Sequence, residues 1–146
     1  MAGISNAKLF GKLNSVGYKS AEGATVFCKL RGNPVVEVQH FVTQILQLQD
    51  TDLHKIIRHF GMDAAKLTAD LTASLEKLQR GGSSSGIDFS HRLLNSMKAG
   101  WMWASLLYNS NQIRTGHWIL GMFKDDTLDG VLTGISREFA KIKVDE

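Results

Sequence analysis

The chain reads as an all-α domain in which one helical unit is used twice about a pseudo-two-fold axis, with eight or nine helices in all. Three observations predict this. The stretch Asn33-Pro34-Val35-Val36-Glu37-Val38-Gln39-His40-Phe41-Val42 returns in altered form 77 positions later as Asn111-Gln112-Ile113-Arg114-Thr115-Gly116-His117-Trp118-Ile119. Self-similarity at a long fixed offset marks one folding unit used twice, here in too few copies for a solenoid. Each copy follows a long segment with apolar residues at helical spacing, and precedes an acidic turn and another apolar run. Finally, Pro34 is the only proline, so long helices can run uninterrupted.

The elements follow in order. Ile4 to Leu13 is expected to form a short helix, with Leu9, Phe10 and Leu13 on one side and Lys8 and Lys12 beside them. So short a helix must dock on something to persist. Ser15 to Leu30 is the first long helix, with a stripe of Tyr18, Ala21, Ala24, Thr25 and Cys28. Gly32-Asn33-Pro34 stops it. Val36-Glu37 opens the third helix, which is expected to bury Val38, Phe41, Val42, Ile45, Leu46 and Leu48. Asp50-Thr51-Asp52 starts a fourth over Leu53 to Phe60, expected to bury Leu53, Ile56, Ile57 and Phe60. Asp63 caps a fifth carrying Leu67, Leu71, Leu75 and Leu78. That leucine row spans barely two heptads, which favours core packing over a dimer seam.

The second half repeats the plan. Ser90 or Asp88 caps a long helix reaching about Tyr108, with a stripe of Leu93, Met97, Gly100, Trp101, Ala104 and Leu107. Thr115 caps the next, Asp125-Asp126-Thr127 mirrors Asp50-Thr51-Asp52, and Leu128, Val131 and Leu132 mirror Leu53, Ile56 and Ile57. Ser136 caps a last helix from Arg137 to about Val144. The domain organisation is therefore an accessory helix (1–14), a first repeat (15–80), a Gly/Ser linker expected to be flexible (81–88) and a second repeat (89–144), all within one globular domain, 1–146.

Composition narrows the function. At 146 residues, with 43% hydrophobic and 21% charged residues, the chain suits one soluble domain. A single cysteine, Cys28, precludes an internal disulfide framework and fits a reducing compartment. No apolar run approaches the ~18 residues of a membrane span, and the N-terminus lacks the apolar region of a signal peptide. The net charge is +3, and residues 1–31 carry five basic residues against Glu22 alone, a basic segment able to steer an acidic partner. The basic residues are not interleaved with aromatics, which argues against nucleic acid.

Enzymatic chemistry finds no support. Neither a G-x-x-x-x-G-K-[ST] loop nor a G-x-G-x-x-G helix opening occurs. His40 and His117 hold matching places but lack the spaced partners of a metal site, and read as first-turn residues that hydrogen-bond across a helix junction. Cys28 sits in an apolar stripe, where a free cysteine is a small hydrophobe. What remains is a binding module that holds an amphipathic segment in an apolar groove. The candidate groove residues are Leu9, Phe10 and Leu13 on one wall and Phe89 and Leu93 on the other, with Lys8 and Lys12 on the rim.

The duplicated segments Cys28 to Phe41 and Leu107 to Trp118 resemble the double helical repeat of Clp ATPase N-terminal domains, in which a Gly/Asn turn leads into an E-H-L-L-like motif. Glu37 and His40 fall on that motif, with Phe41 in place of leucine, and Arg114-Thr115-Gly116-His117 lacks its acid. Leu9-Phe10-Gly11-Lys12-Leu13-Asn14 and Cys28 to Pro34 are similar to the branch of that family that serves bacterial type VI secretion. The resemblance implies a cytoplasmic bacterial protein whose N-domain recognises a helical N-terminal segment of the larger sheath subunit, so that attached AAA+ modules, with ATP as their cofactor, disassemble contracted sheaths. It implies a monomeric isolated domain, a hexameric full-length protein, no metal, and neither nucleic acid nor membrane as partner. An N-domain of another Clp chaperone, binding an adaptor or an unfolded chain, is the alternative.

Overall fold

The computed structural model describes residues 6–81 and 88–143. The inner part of the Gly/Ser stretch, the first five residues and the last three lie outside the described residues. Among those described there are eight α-helices: α1 (Asn6–Gly11), α2 (Ser15–Arg31), α3 (Val38–Gln47), α4 (Asp52–His59), α5 (Ala64–Glu76), α6 (His91–Leu106), α7 (Thr115–Lys124) and α8 (Val131–Ile135). A closing 3-10 helix covers Arg137–Lys141.

Two short strands were not expected, β1 (Val35–Val36) and β2 (Asp88–Phe89). They pair in parallel, Val35 opposite Asp88 and Val36 opposite Phe89, and the Ser90 amide donates to the Val36 carbonyl at 2.9 Å. A second parallel bridge joins Leu13 to Ile113, where the Ile113 amide donates to Lys12 and the Asn14 amide to Ile113 at 2.9 Å. The two bridges are counterparts: each half pairs the turn before its second helix with the lead-in of the other half. Buried turn backbone needs partners, and the duplication supplies them reciprocally. This exchange brings the stretches around Leu13 and Phe89 to the junction of the halves.

Each half is built on a close helix pair, α2 with α3 and α6 with α7. Phe41 and Trp118, equivalent in the two copies, meet edge to face at 4.8 Å in the shared core, and the Trp118 indole donates to Ser96 Oγ at 2.6 Å. The caps act largely as anticipated. Asn14, Thr51, Asp63, Ser90 and Ser136 each accept from an amide of the turn they open. Gly32 adopts φ +73° and closes α2.

Four expectations are corrected. Val36 belongs to β1, because bridging to β2 satisfies it before α3 begins. Arg114, and not Thr115, is the N-cap of α7, which leaves the Thr115 side chain buried. Tyr18 and Leu107 lie on solvent-facing sides, 46% and 58% exposed, since Ala21, Ala24 and Cys28 in α2 and Gly100 and Ala104 in α6 already fill the contact faces. The last helix is a single 3-10 stretch ending at Lys141.

Candidate functional site

At the junction of the halves, α1 lies over the start of α6. Leu9 and Leu13 are 2% and 6% exposed and Leu93 is fully buried, so these three form the floor beneath α1 and have no side-chain surface left to offer a ligand. The cause is the Leu13–Ile113 bridge, which draws the lead-in down onto the second half. Phe10 and Phe89 are different. Both are half-buried, and their rings meet at 4.7 Å, tilted by 49°. Lys8 and Lys12 are exposed on the same helix, and the Lys12 ammonium lies 4.8 Å above the half-buried Trp101 ring, a cation–π contact. The α1 edge is therefore an aromatic step, Phe10, Phe89 and Trp101, with lysines beside it.

The histidines are structural. Their Nδ1 atoms accept from backbone amides three residues earlier: His40 from Glu37 at 2.9 Å, His54 from Thr51 at 3.3 Å, and His117 from Arg114 at 3.1 Å. An imidazole here does the work of the acid in a capping box, meeting an amide that the helix start leaves unpaired. Accepting at Nδ1 requires the ring to be unprotonated. In His40 the other nitrogen then donates to Asn33 Oδ1 at 2.9 Å. Burial, helped by the Arg31 charge, lowers the His40 pKa to about 4. Burial also lowers that of His117. The Cys28 thiol donates to the Asn33 carbonyl at 3.3 Å, and burial, with the charge of Glu37, raises its pKa to about 11, which keeps it un-ionised and unreactive.

A cleft elsewhere on the domain was not anticipated. Between α4 and α7 runs a cleft of about 540 Å³. Ile56 and Phe60 from α4, Leu120 and Phe123 from α7, and Ile142 give it an apolar lining. At its mouth the Asp52 carboxylate accepts both prongs of the Arg114 guanidinium, at 2.9 and 2.7 Å, and the Gly116 amide at 3.2 Å. The Arg114 hydrogen bond holds the Asp52 carboxyl below its ordinary pKa. Tyr108 packs on the His117 ring at 5.1 Å. A signal for this cleft exists in the sequence. Along α4 and its C-cap residue Phe60, the pairs Leu53/Ile57 and Ile56/Phe60 form two adjacent apolar rows, one more than a single core contact needs. The structure buries the first row and leaves the second half-exposed.

The Clp repeat (R) N-terminal domain model matches residues 22–134, more than half of the chain. The AAA+ ATPase ClpV1 of Pseudomonas aeruginosa is 51% identical over 145 residues, covering 99% of this chain and 16% of that protein. The chain thus spans about a sixth of this curated relative. A solved chain from work on the coevolution of the ATPase ClpV, the TssB–TssC sheath and the accessory HsiE protein superposes with a TM-score of 0.94. It is 50% identical over 99% of this chain and 89% of its own. A ClpV N-domain solved in complex with a VipB peptide has a TM-score of 0.73 over 97% of this chain and 89% of its own; at 20% identity it speaks to the fold alone. The chain belongs to the Clp repeat N-terminal domain family.

Proposed function

We propose that this chain is the substrate-recognition domain of a Clp-type unfoldase of type VI secretion. It docks a helical segment of a sheath subunit at the α1 edge. Attached ATPase modules, using ATP, exploit that grip to take contracted sheaths apart in the bacterial cytoplasm. The domain performs no chemistry itself. The observation that carries this reading is the 51% identity to the AAA+ ATPase ClpV1 over 99% of the chain. A ClpV N-domain of the same fold has been solved with a VipB peptide, which is the class of ligand proposed here.

The geometry supports the α1 edge as the contact. Phe10 and Phe89 keep part of their rings in solvent, and Leu9, Leu13 and Leu93 hold them from below. A ligand helix laid on this step buries apolar area worth roughly 25 cal/mol per Å². Lys8 and Lys12 favour acidic residues beside the ligand's apolar face. An unfolded ligand loses entropy on ordering, so the expected affinity is modest.

The test is fluorescence anisotropy with a labelled peptide from the N-terminal segment of the larger sheath subunit. The domain should bind it, and Phe10→Glu should weaken binding more than about tenfold while the thermal melt stays in place. Unchanged affinity in that variant would remove the α1 edge, and no binding by the parent domain would remove the sheath ligand.

A further inference from the structure

The α4–α7 cleft shares no lining residue with the α1 edge, and it has a pseudo-symmetric counterpart between α3 and α8. That counterpart, about 500 Å³, is lined by Gln39, Thr127, Gly130, Val131, Gly134 and Ile135, with Ser74, Arg92 and Asp129. In the duplicated plan these six stand where the first cleft has Gly116, Asp52, Lys55, Ile56, His59 and Phe60. Val131 and Ile135 keep the apolar places of Ile56 and Phe60, but α3 lines its cleft with Gln39 alone, so the apolar α7 wall of Leu120 and Phe123 is not required by the repeat. Two features keep its mouth open. Gly116 replaces Gln39, whose amide donates to Ser74 Oγ at 3.0 Å on the other side. A Cβ at Gly116 would also come within 3.2 Å of the Asp52 carboxylate.

Among the described residues that line the cleft, the exposed charge is positive. Lys55 on α4 and Lys143, beyond the closing 3-10 helix, both line the cleft and are exposed. Asp52 is the one carboxylate among the residues that line the cleft, and the Arg114 fork neutralises it. The walls, helices of eight and ten residues, run roughly 12–15 Å, the length of two to three turns of a guest helix. The volume lies in the range of sites that take large side chains, about 300–1,000 Å³.

We propose that the α4–α7 cleft is a second docking site, for an amphipathic peptide helix that sets its apolar row on Phe60, Leu120 and Phe123 and presents acidic residues to Lys55 and Lys143. The domain then grips two segments independently, one at each site.

The probe is a synthetic amphipathic helix with Leu at i, i+3, i+4 and i+7 and Glu at the flanking positions, compared with a twin carrying Lys for Glu. Binding to the 146-residue chain is read by fluorescence anisotropy and mapped by amide chemical shifts. The Glu probe should bind, the Lys twin should not, and the shifts should fall on residues 52–60 and 116–123. The double reversal Lys55→Glu with Lys143→Glu should weaken the Glu probe by about tenfold and admit the Lys twin. Both substitutions are at exposed positions, so the fold should persist. Leu120→Asp should abolish binding of the Glu probe, and Phe10→Glu should leave it intact. Equal binding of the two probes, indifference to the charge reversal, shifts lying elsewhere, or a dimer that buries Phe60 and Leu120 would each overturn the proposal.

Discussion

The two halves of this domain follow one plan and finish it differently. On one side, α4 and α7 leave an apolar trough whose mouth is fixed by the Asp52–Arg114 fork. On the other, the equivalent space between α3 and α8 is polar, with Gln39 reaching to Ser74. The helix crossings differ too. In the second half Gly121 meets Gly100 and Ala99 backbone to backbone, whereas at the equivalent crossing of the first half Gln44 stands at the place of Gly121 and its side chain faces Gly23, at the place of Ala99. Duplication conserves helix order, caps and the reciprocal strand bridges, which are backbone requirements. Side chains that line the clefts and crossings are free to diverge, and specificity can accumulate there.

The largest expected effect separates the crossings. A Cβ at Gly121 would lie 2.6 Å from the Gly100 nitrogen and 2.7 Å from the Ala99 carbonyl carbon, backbone atoms that cannot move aside. Gly121→Ala should cost more than about 3 kcal/mol in urea denaturation. Gly23→Ala should change stability by less than about 1 kcal/mol, because Gln44 can swing away and a helical alanine is favoured over glycine. Equal costs would erase the distinction.

Next comes pH. The folded His40 pKa, about 4, lies below the ordinary 6.5, so the unfolded chain binds the extra proton first. Stability is then fully present above about pH 6.5 and falls as the pH drops toward 4, by roughly 3 kcal/mol in total. His117, half-exposed and shifted in the same direction, should add less. Urea midpoints from pH 7 to 4 measure the slope. His40→Gln should remove most of it, and an unchanged slope would remove His40 as its source.

The Asp52 fork ranks third. Asp52→Ala leaves Arg114 and the Gly116 amide without their acceptor and should cost about 1–2 kcal/mol. Thr127→Ala, at the matching place, deletes only the hydroxyl's bond to Asp125 in an exposed turn, the backbone amide keeping its own, and should cost about 0.5 kcal/mol or less. Both are readable as shifts in thermal midpoint.

Much of the fold was legible because helix caps and apolar periodicity are local. Asp63, Ser90 and Ser136 announce their helices from sequence alone, and the Asn33-Pro34 and Asn111-Gln112 turns announce the duplication. The reciprocal bridges were hidden. Two-residue strands have no pattern of their own, and only tertiary pairing makes Val35–Val36 and Asp88–Phe89 extended. The site was half legible for the same reason. Periodicity grouped Leu9, Phe10 and Leu13 on one face, but which of three apolar neighbours stays wet depends on the Leu13–Ile113 bridge. The α4–α7 cleft was read as core because Ile56 and Phe60 look like any buried helix row until α7 is seen to stop short of covering them.

The claim on which the account turns is that a sheath segment seats at the α1 edge. Hydrogen–deuterium exchange on the domain with and without the sheath N-terminal peptide tests it most directly. The account predicts slowed exchange in residues 8–13 and 88–94, with residues 55–60 and 116–123 unchanged. Protection confined to α4 and α7, or no protection at all, would contradict it.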